Sequence, residues 1–164
     1  MANIYRQCTE SPLGKITVEG NERAIYSIRF TNENEDTAGF EHPNELTNTC
    51  CLQLHEYFAG KRKRFGIPIQ LKGTEFQYHV WDALKDIAFG ETCSYMELAK
   101  KIGKPDAVRA VGTANGDNPI AVIVPCHRVV GSDGKLTGYA GGLWRKHWLL
   151  EHEQKVLGKL LSLF

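Results

Sequence analysis

A cysteine, a histidine and an arginine stand in succession at Cys126-His127-Arg128, directly after Pro125 ends the apolar run of residues 120–124. A thiolate is a strong nucleophile, and cationic neighbours lower a thiol pKa from about 8.5. His127 can serve as base and Arg128 as a local positive field, so the trio has the parts of an activated nucleophile. A free cysteine is equally a small hydrophobe that packs well in cores, and these residues alone leave Cys126 open between the two roles. In extended chain, neighbouring side chains point to opposite faces, so His127 would reach the sulfur through a bridging water. The histidine also needs an acceptor to fix its tautomer. Glu151 and Glu153, on a helix expected over residues 143–153, both offer one, and both would serve as plain surface residues.

These groups need elements to hold them. Ser11-Pro12-Leu13-Gly14 is turn chemistry ahead of an alternating strand at Lys15–Glu19. Gly20-Asn21 separates it from a partner strand over Ile25–Phe30. Residues 31–41 are acidic and polar, which predicts an exposed loop. Leu46, Cys50, Leu54 and Phe58 recur every fourth residue, predicting an amphipathic helix over 45–59 that ends at Gly60. The basic run Lys61-Arg62-Lys63-Arg64, open between phosphate contact and simple solvation, leads to a short strand expected at Ile67–Leu71.

From residue 73 the texture is helical. Thr74-x-x-Gln77 is a capping box opening a helix with Phe76, Val80, Trp81, Leu84 and Ile87 on one face and Gly90 at its close. Ser94-x-x-Glu97 opens a second helix with Leu98, Ala99 and Ile102 apolar. Gly103-Lys104-Pro105 breaks the chain, and Asp106 is placed to cap a third helix running to about Ala114. Two short helices about a glycine turn fit a helix-turn-helix. Arg109 then lies near the start of the second, where recognition residues sit, although an ordinary exposed arginine fits the same pattern. The apolar run 120–124 predicts a buried extended segment or inner helix core. Ser132-Asp133-Gly134 reads as a turn. Gly138-Tyr139-Ala140-Gly141-Gly142 lets backbone approach a ligand closely, or is a flexible loop.

Composition bounds the rest. The chain has 164 residues, 42% hydrophobic and 24% charged, ordinary values for a globular protein of one domain or two small ones. The net charge is +1, with 9 basic and 9 acidic residues in 1–72 and 11 against 10 in 73–164, so any nucleic-acid contact must come from local placement of charge. Five cysteines without a C-x-x-C pair argue against a disulfide framework and a thiolate zinc site. No apolar run approaches the roughly 20 residues of a membrane span. The opening Met1-Ala2-Asn3-Ile4-Tyr5-Arg6 lacks the apolar core of a secretory leader. The expected location is cytoplasmic, or nuclear in a eukaryote.

The ordered set Asn118-Pro119, Val124-Pro125-Cys126-His127-Arg128-Val129-Val130, Gly138-Tyr139-x-Gly141-Gly142 and Trp148-Leu149-Leu150-x-His152-Glu153 resembles the O6-alkylguanine-DNA alkyltransferase family. Its members are also called methylated-DNA–protein-cysteine methyltransferases. The match spans about residues 74–153, and Ser11-Pro12-Leu13-Gly14-Lys15 resembles the family's N-terminal start. The resemblance implies an α/β plus α fold: a ribonuclease-H-like α/β domain over 1–72, then a helical domain with a winged helix-turn-helix over 73–164. It implies direct, stoichiometric transfer of an alkyl group from O6-alkylguanine in double-stranded DNA to Cys126, and leaves O4-alkylthymine open. The recognition helix would enter the minor groove, where the small residues Ala107, Ala110 and Gly112 suit close approach. The lesion would be flipped out, because a thiolate cannot reach the O6 substituent inside a stacked duplex.

The resemblance also assigns roles. Arg109 would take the place of the extruded base. His127 would accept the thiol proton through a water, with Glu153 orienting the imidazole. Tyr95 would donate to guanine N3, and the Ala140 N–H would face O6. The carbonyls of Cys126 and Val129 would accept from the exocyclic amine. Asn118 would brace the turn holding the cysteine, Tyr139 would wall the pocket, and Leu149 and Leu150 would pack. No cofactor is implied, and the protein is expected to act as a monomer. Some family members hold an N-terminal zinc, but the matching positions here are Ala2, Asn21, Tyr26 and about Gly66, so no metal is expected. The alternatives are a non-catalytic lesion-binding protein, with Cys126 as packing, and a multiple-turnover cysteine hydrolase.

Overall fold

Ile16, Val18, Ile25 and Ile28 are the apolar positions of two adjacent strands, and all four are buried. They belong to an antiparallel sheet of order β1-β2-β3, formed by β1 (Tyr5–Thr9), β2 (Ile16–Gly20) and β3 (Ile25–Phe30). The register pairs Cys8 with Thr17 and Val18 with Ile28. The computed structural model describes residues 3–134 and 136–159. The turn before β2 closes as its residues predict: Gly14, at φ 100°, donates its N–H to Ser11 O at 3.0 Å.

Helix α1 (Glu45–Phe58) begins at Asn44, whose side chain accepts from Thr47 N while the Thr47 hydroxyl accepts from Asn44 N. This reciprocal cap satisfies two of the helix's orphan donors. Cys50 and Leu54 of the predicted stripe are buried, joined by Thr47, Cys51, Gln53 and Tyr57, whereas Leu46 and Phe58 are half-buried. The chain turns out of α1 through Gly60 at φ 77°. Loop 31–41 is largely exposed, as expected. The strand expected at Ile67–Leu71 reduces to a single parallel bridge between Ile69 and Ile25. Ile25 N donates to Pro68 O and Ile25 O accepts from Gln70 N at 2.8 Å, and Pro68 has no N–H to extend the ladder further. Contacts divide the chain into two units, residues 1–71 with Pro119–Ala121, and residues 72–118 with those from 122 onward.

In the second unit, helix α2 (Glu75–Leu84) carries the predicted Thr74–Gln77 capping box, and Trp81 donates its indole N–H to Ala114 O at 2.8 Å. The helix ends at Leu84 rather than near Gly90. Asp86 N and Ile87 N bond three residues back, to Ala83 O and Leu84 O, tightening the chain into turns. The strand β4 (Cys93–Ser94) leads through the Ser94–Glu97 capping box into α3 (Tyr95–Lys101), with Leu98 and Ala99 buried. After Gly103 (φ 75°) the chain enters α4 (Val108–Gly116), which packs on both α2 and α3. Asp106 does not cap this helix. The residue at the cap is Ala107, whose N–H closes a turn onto Lys104 O and which offers no side-chain bond.

The run 120–124 is neither strand nor helix: Ile120 makes one bridge to Ile28 and residues 121–124 form turns. Val122 stands at φ 70°, a conformation that a β-branched residue rarely adopts. Cys126–Arg128 is a 3₁₀ turn, not extended chain, and it continues into β5 (Val129–Val130), parallel to β4. Helix α5 (Leu143–Val156) starts at Gly142, φ 92°, and packs against the 3₁₀ turn. Among the described residues, no helix is long and apolar enough to cross a membrane.

Candidate functional site

Cys126 opens the 3₁₀ turn and is 6% exposed. Asn118 holds it from the preceding turn: its Nδ2 donates to Val124 O at 2.8 Å and to Cys126 Sγ at 3.1 Å. The same amide therefore braces the strained segment around Val122 and meets the sulfur. Strain of this kind, on the order of 1–3 kcal/mol, persists only where neighbouring bonds over-determine the backbone. The carbonyl of Cys126 accepts twice, from Val129 N and from Asn115 Nδ2 at 3.2 Å.

Behind the cysteine, His127 and Glu153 are both fully buried, with His127 Nε2 2.7 Å from Glu153 Oε2. Of the two glutamates left open by the sequence, Glu153 meets the imidazole. Glu151 lies on another face of α5, paired with His147 at 3.5 Å and Lys155 at 3.0 Å. Glu153 also accepts from Arg128 Nε (2.9 Å), Arg128 Nη2 (3.0 Å) and Gly90 N (2.9 Å). Gly90 thus serves the carboxylate through its backbone instead of ending a helix, and Gln154 Nε2 returns a bond to Gly90 O at 2.7 Å. With a carboxylate on Nε2, the proton sits on that nitrogen and Nδ1 carries the lone pair. Nδ1 is buried and makes no hydrogen bond among the described residues.

The electrostatics separate these groups. Burial pushes the Cys126 thiol up, opposed by the Asn118 bond and the positive charge of Lys146. Arg128 is not the field on the sulfur that its position suggests. Its guanidinium is committed to Glu153 and, through Nη1 at 2.7 Å, to Ile87 O. Burial likewise pulls His127 down, with Glu153 pulling the other way, so the ring is neutral near pH 7. Burial works against the Glu153 carboxylate, but His127 and Arg128 overcome it and hold its carboxyl well below the usual range. Because His127 is neutral, Arg128 supplies the compensating charge.

Lys146, on the buried face of α5, reaches Thr137 O at 2.8 Å, with Gly138 O and the Tyr95 hydroxyl each at 3.5 Å. Burial pulls its pKa down to about 8, while Cys126 opposes the shift. Tyr95 opens α3 and bonds Thr137 O at 3.4 Å. The Tyr139 phenol is raised well above its ordinary value, first by burial and then by Cys126, which keeps it neutral. Ala140 is exposed on the same loop, and Val129 is buried beside Cys126. Arg109 is exposed in the first turn of α4, on a groove it shares with Phe76, Gln77, Ala107, Ala110 and Thr113. Gly112 is half-buried against the Tyr95 ring, which a Cβ there would meet at 3.7 Å, an ordinary contact.

Asn115 and Lys146 also belong to the site, and neither stands out in the motifs of the sequence. Lys146, Leu149, Leu150 and Glu153 are all buried and spaced i, i+3, i+4 and i+7, so one helical face could have been read to include the lysine. Asn115 had no such signal. Of the positions matched to a structural zinc, Asn21 uses its Oδ1 to accept from Arg23 N and Ala24 N, and Ala2 lies outside the described residues.

Two profiles of one family match the chain. The 6-O-methylguanine DNA methyltransferase ribonuclease-like domain matches residues 4–71, and the DNA-binding domain of the same family matches residues 75–155. The chain is similar to the methylated-DNA–protein-cysteine methyltransferase of Mycolicibacterium paratuberculosis, 48% identical over 164 residues, covering 98% of this chain and 99% of the relative. The protein of that name from Methanosarcina barkeri is 46% identical over 157 residues, with 94% and 99% covered. Among solved structures, Mycobacterium tuberculosis OGT in complex with DNA matches with a TM-score of 0.84 and 45% identity, over 93% of this chain and 94% of that one.

Proposed function

This chain belongs to the methylated-DNA–protein-cysteine methyltransferase family, and from that premise we propose that Cys126 is the atom on which its alkyl transfer ends. Its activity is DNA repair by alkyl transfer. The observation that carries the assignment to Cys126 is the buried Glu153–His127 pair beside a sulfur held by Asn118.

A thiol pushed up by burial needs a base, and a neutral imidazole with a free lone pair on Nδ1 is one. The Cys126 proton passes through a water to Nδ1, and the resulting cation is stabilised by Glu153. The thiolate then attacks the alkyl carbon of O6-alkylguanine. The S–C bond forms as the C–O6 bond breaks, and the electron pair leaves with the guanine. Tyr95 turns its hydroxyl proton from Thr137 O to guanine N3 and the Ala140 N–H faces O6, so charge developing on the leaving base meets hydrogen-bond donors. Both lone pairs of the Cys126 carbonyl are taken by Val129 N and Asn115, so the exocyclic amine falls to the Val129 carbonyl alone. Tyr139 walls the pocket as a neutral ring, and Lys146 favours the thiolate.

The helix pair α3–α4, with β4 and β5 as its wing, engages double-stranded DNA from the minor groove. Arg109 fills the space of the flipped nucleotide, as it is exposed at the leading end of α4. The protein acts as a monomer in the cytoplasm, and with a near-neutral charge its binding depends on a few salt-sensitive contacts. The S–C bond of the thioether is stable and the free thiol is not regenerated, so each molecule reacts once.

Titrating the protein with duplex containing a single O6-methylguanine tests this. Lesion loss should saturate at one equivalent per protein molecule. Turnover beyond one equivalent would indicate a hydrolase, and binding without lesion loss a non-catalytic lesion reader.

A further inference from the structure

Resting on the function proposed above, we infer that Asn115 is a positioning residue for the reaction: it ties the end of α4 to the backbone of the nucleophile and fixes where Cys126 points. Helix α4 carries Arg109 in its first turn, exposed, and Asn115 in its last turn, 2% exposed. The Asn115 Nδ2 donates to the carbonyl of Cys126 at 3.2 Å. Val129 N takes the other lone pair of that oxygen, closing the 3₁₀ turn. The peptide leaving Cys126 is thus held from two sides, while Asn118 holds the sulfur and the carbonyl two residues earlier. The end of α4 is itself fixed, since the Trp81 indole bonds Ala114 O at 2.8 Å.

The other half of the Asn115 amide says what the residue is for. Its Oδ1 is buried and has no hydrogen-bond partner among the described residues. An unsatisfied buried acceptor works against stability, and an apolar side chain among Val111 and Ala114 would avoid that cost. An asparagine at this place makes physical sense through its one donor bond, whose far end is the nucleophile. Asn115 touches neither sulfur nor alkyl group, so it acts only through the backbone geometry it imposes. In an in-line displacement, rate falls steeply when the attacking atom is displaced from its approach.

The test uses Asn115→Leu, which keeps the branched shape without donor or acceptor, and Asn115→Ala, which cannot overpack. Three readouts are compared with the unaltered chain: thermal midpoint, affinity for duplex containing O6-benzylguanine, and single-turnover transfer rate at saturating duplex. A fourth is the transfer rate from O6-benzyl-2′-deoxyguanosine as free nucleoside. Expected are a midpoint for Asn115→Leu that is unchanged or raised, affinity within about twofold, and transfer slowed about tenfold for both substrates, the loss of one hydrogen bond's worth of alignment. An unchanged transfer rate would overturn the inference, as would a loss of rate matched by losses of midpoint and affinity in both variants. Slowing confined to duplex, with weakened binding, would also overturn it, because Asn115 would then act on DNA contact. Failure of the unaltered chain to alkylate Cys126 would instead remove the function on which the inference rests.

Discussion

Cys126→Ala should abolish alkyl transfer while binding of lesion-bearing duplex stays within about twofold of the unaltered chain. The substitution removes one buried sulfur and leaves the turn intact, since Asn118 keeps its bond to Val124 O and the Cys126 carbonyl keeps both donors. The Asn118 bond to sulfur is lost, a change on the order of 1 kcal/mol. Three of the other cysteines are suppressed by burial, and the fourth, Cys8, lies on β1 with its Sγ 3.6 Å from Thr17 Oγ1. Burial pushes the thiols of Cys50 and Cys51 up to about 12, and Cys93 is also raised by burial. Such thiols carry almost no thiolate near pH 7. Lesion loss and fluorescence anisotropy with the same duplex separate the two quantities. Residual transfer in the variant would contradict the assignment of the nucleophile.

Glu153→Gln carries the second large effect, and it falls on stability and rate together. The glutamine keeps the shape but not the charge, so Arg128, 7% exposed, is left buried without its counter-ion. Breaking a buried pair from one side costs about 3–5 kcal/mol, a large share of the roughly 5–15 kcal/mol that holds a domain folded. Transfer should fall at least about 100-fold, the contribution of a positioned general base, because the amide can present a donor where the imidazole needs an acceptor. The pH dependence has a definite sign. Glu153 is held below its ordinary value in the folded chain, so its stabilisation is complete above the ordinary carboxylate range and is lost as pH falls through the lowered folded value. Burial lowers His127 as well, so below about 6.5 the unfolded chain takes up a proton that the folded chain resists. Both groups make the unaltered protein weaken with acid. Urea midpoints from pH 8 to 4 should show that decline, and Glu153→Gln should start lower and decline less below pH 5. A variant as stable as the unaltered chain would contradict the role given to Arg128.

What the sequence revealed, and what it hid, follows from the range of the interactions involved. The strand at Ile25–Phe30 and the capping boxes at Thr74 and Ser94 are set by neighbours within a few residues, and they appear where the pattern places them. Gly90 looks like the terminator of α2, whereas its backbone serves Glu153, 63 residues away, and the helix closes earlier. The apolar run 120–124 reads as a strand or helix, yet Asn118 holds it in turns with Val122 at positive φ. No local rule predicts that. Arg128 beside Cys126 suggested a field on the sulfur, because adjacency in sequence says nothing about where a long side chain finds its counter-ion. Lys146 takes that place from another helix. Asn115 was invisible because its meaning lies in one bond to a carbonyl eleven positions on.

The measurement that bears most directly on this account is the mass of the peptide containing Cys126 after incubation with duplex bearing O6-methylguanine. One added methyl on Cys126, appearing in step with loss of the lesion and absent from the peptides containing Cys8, Cys50, Cys51 and Cys93, is the predicted result. A lesion that disappears while Cys126 stays unmodified would contradict it.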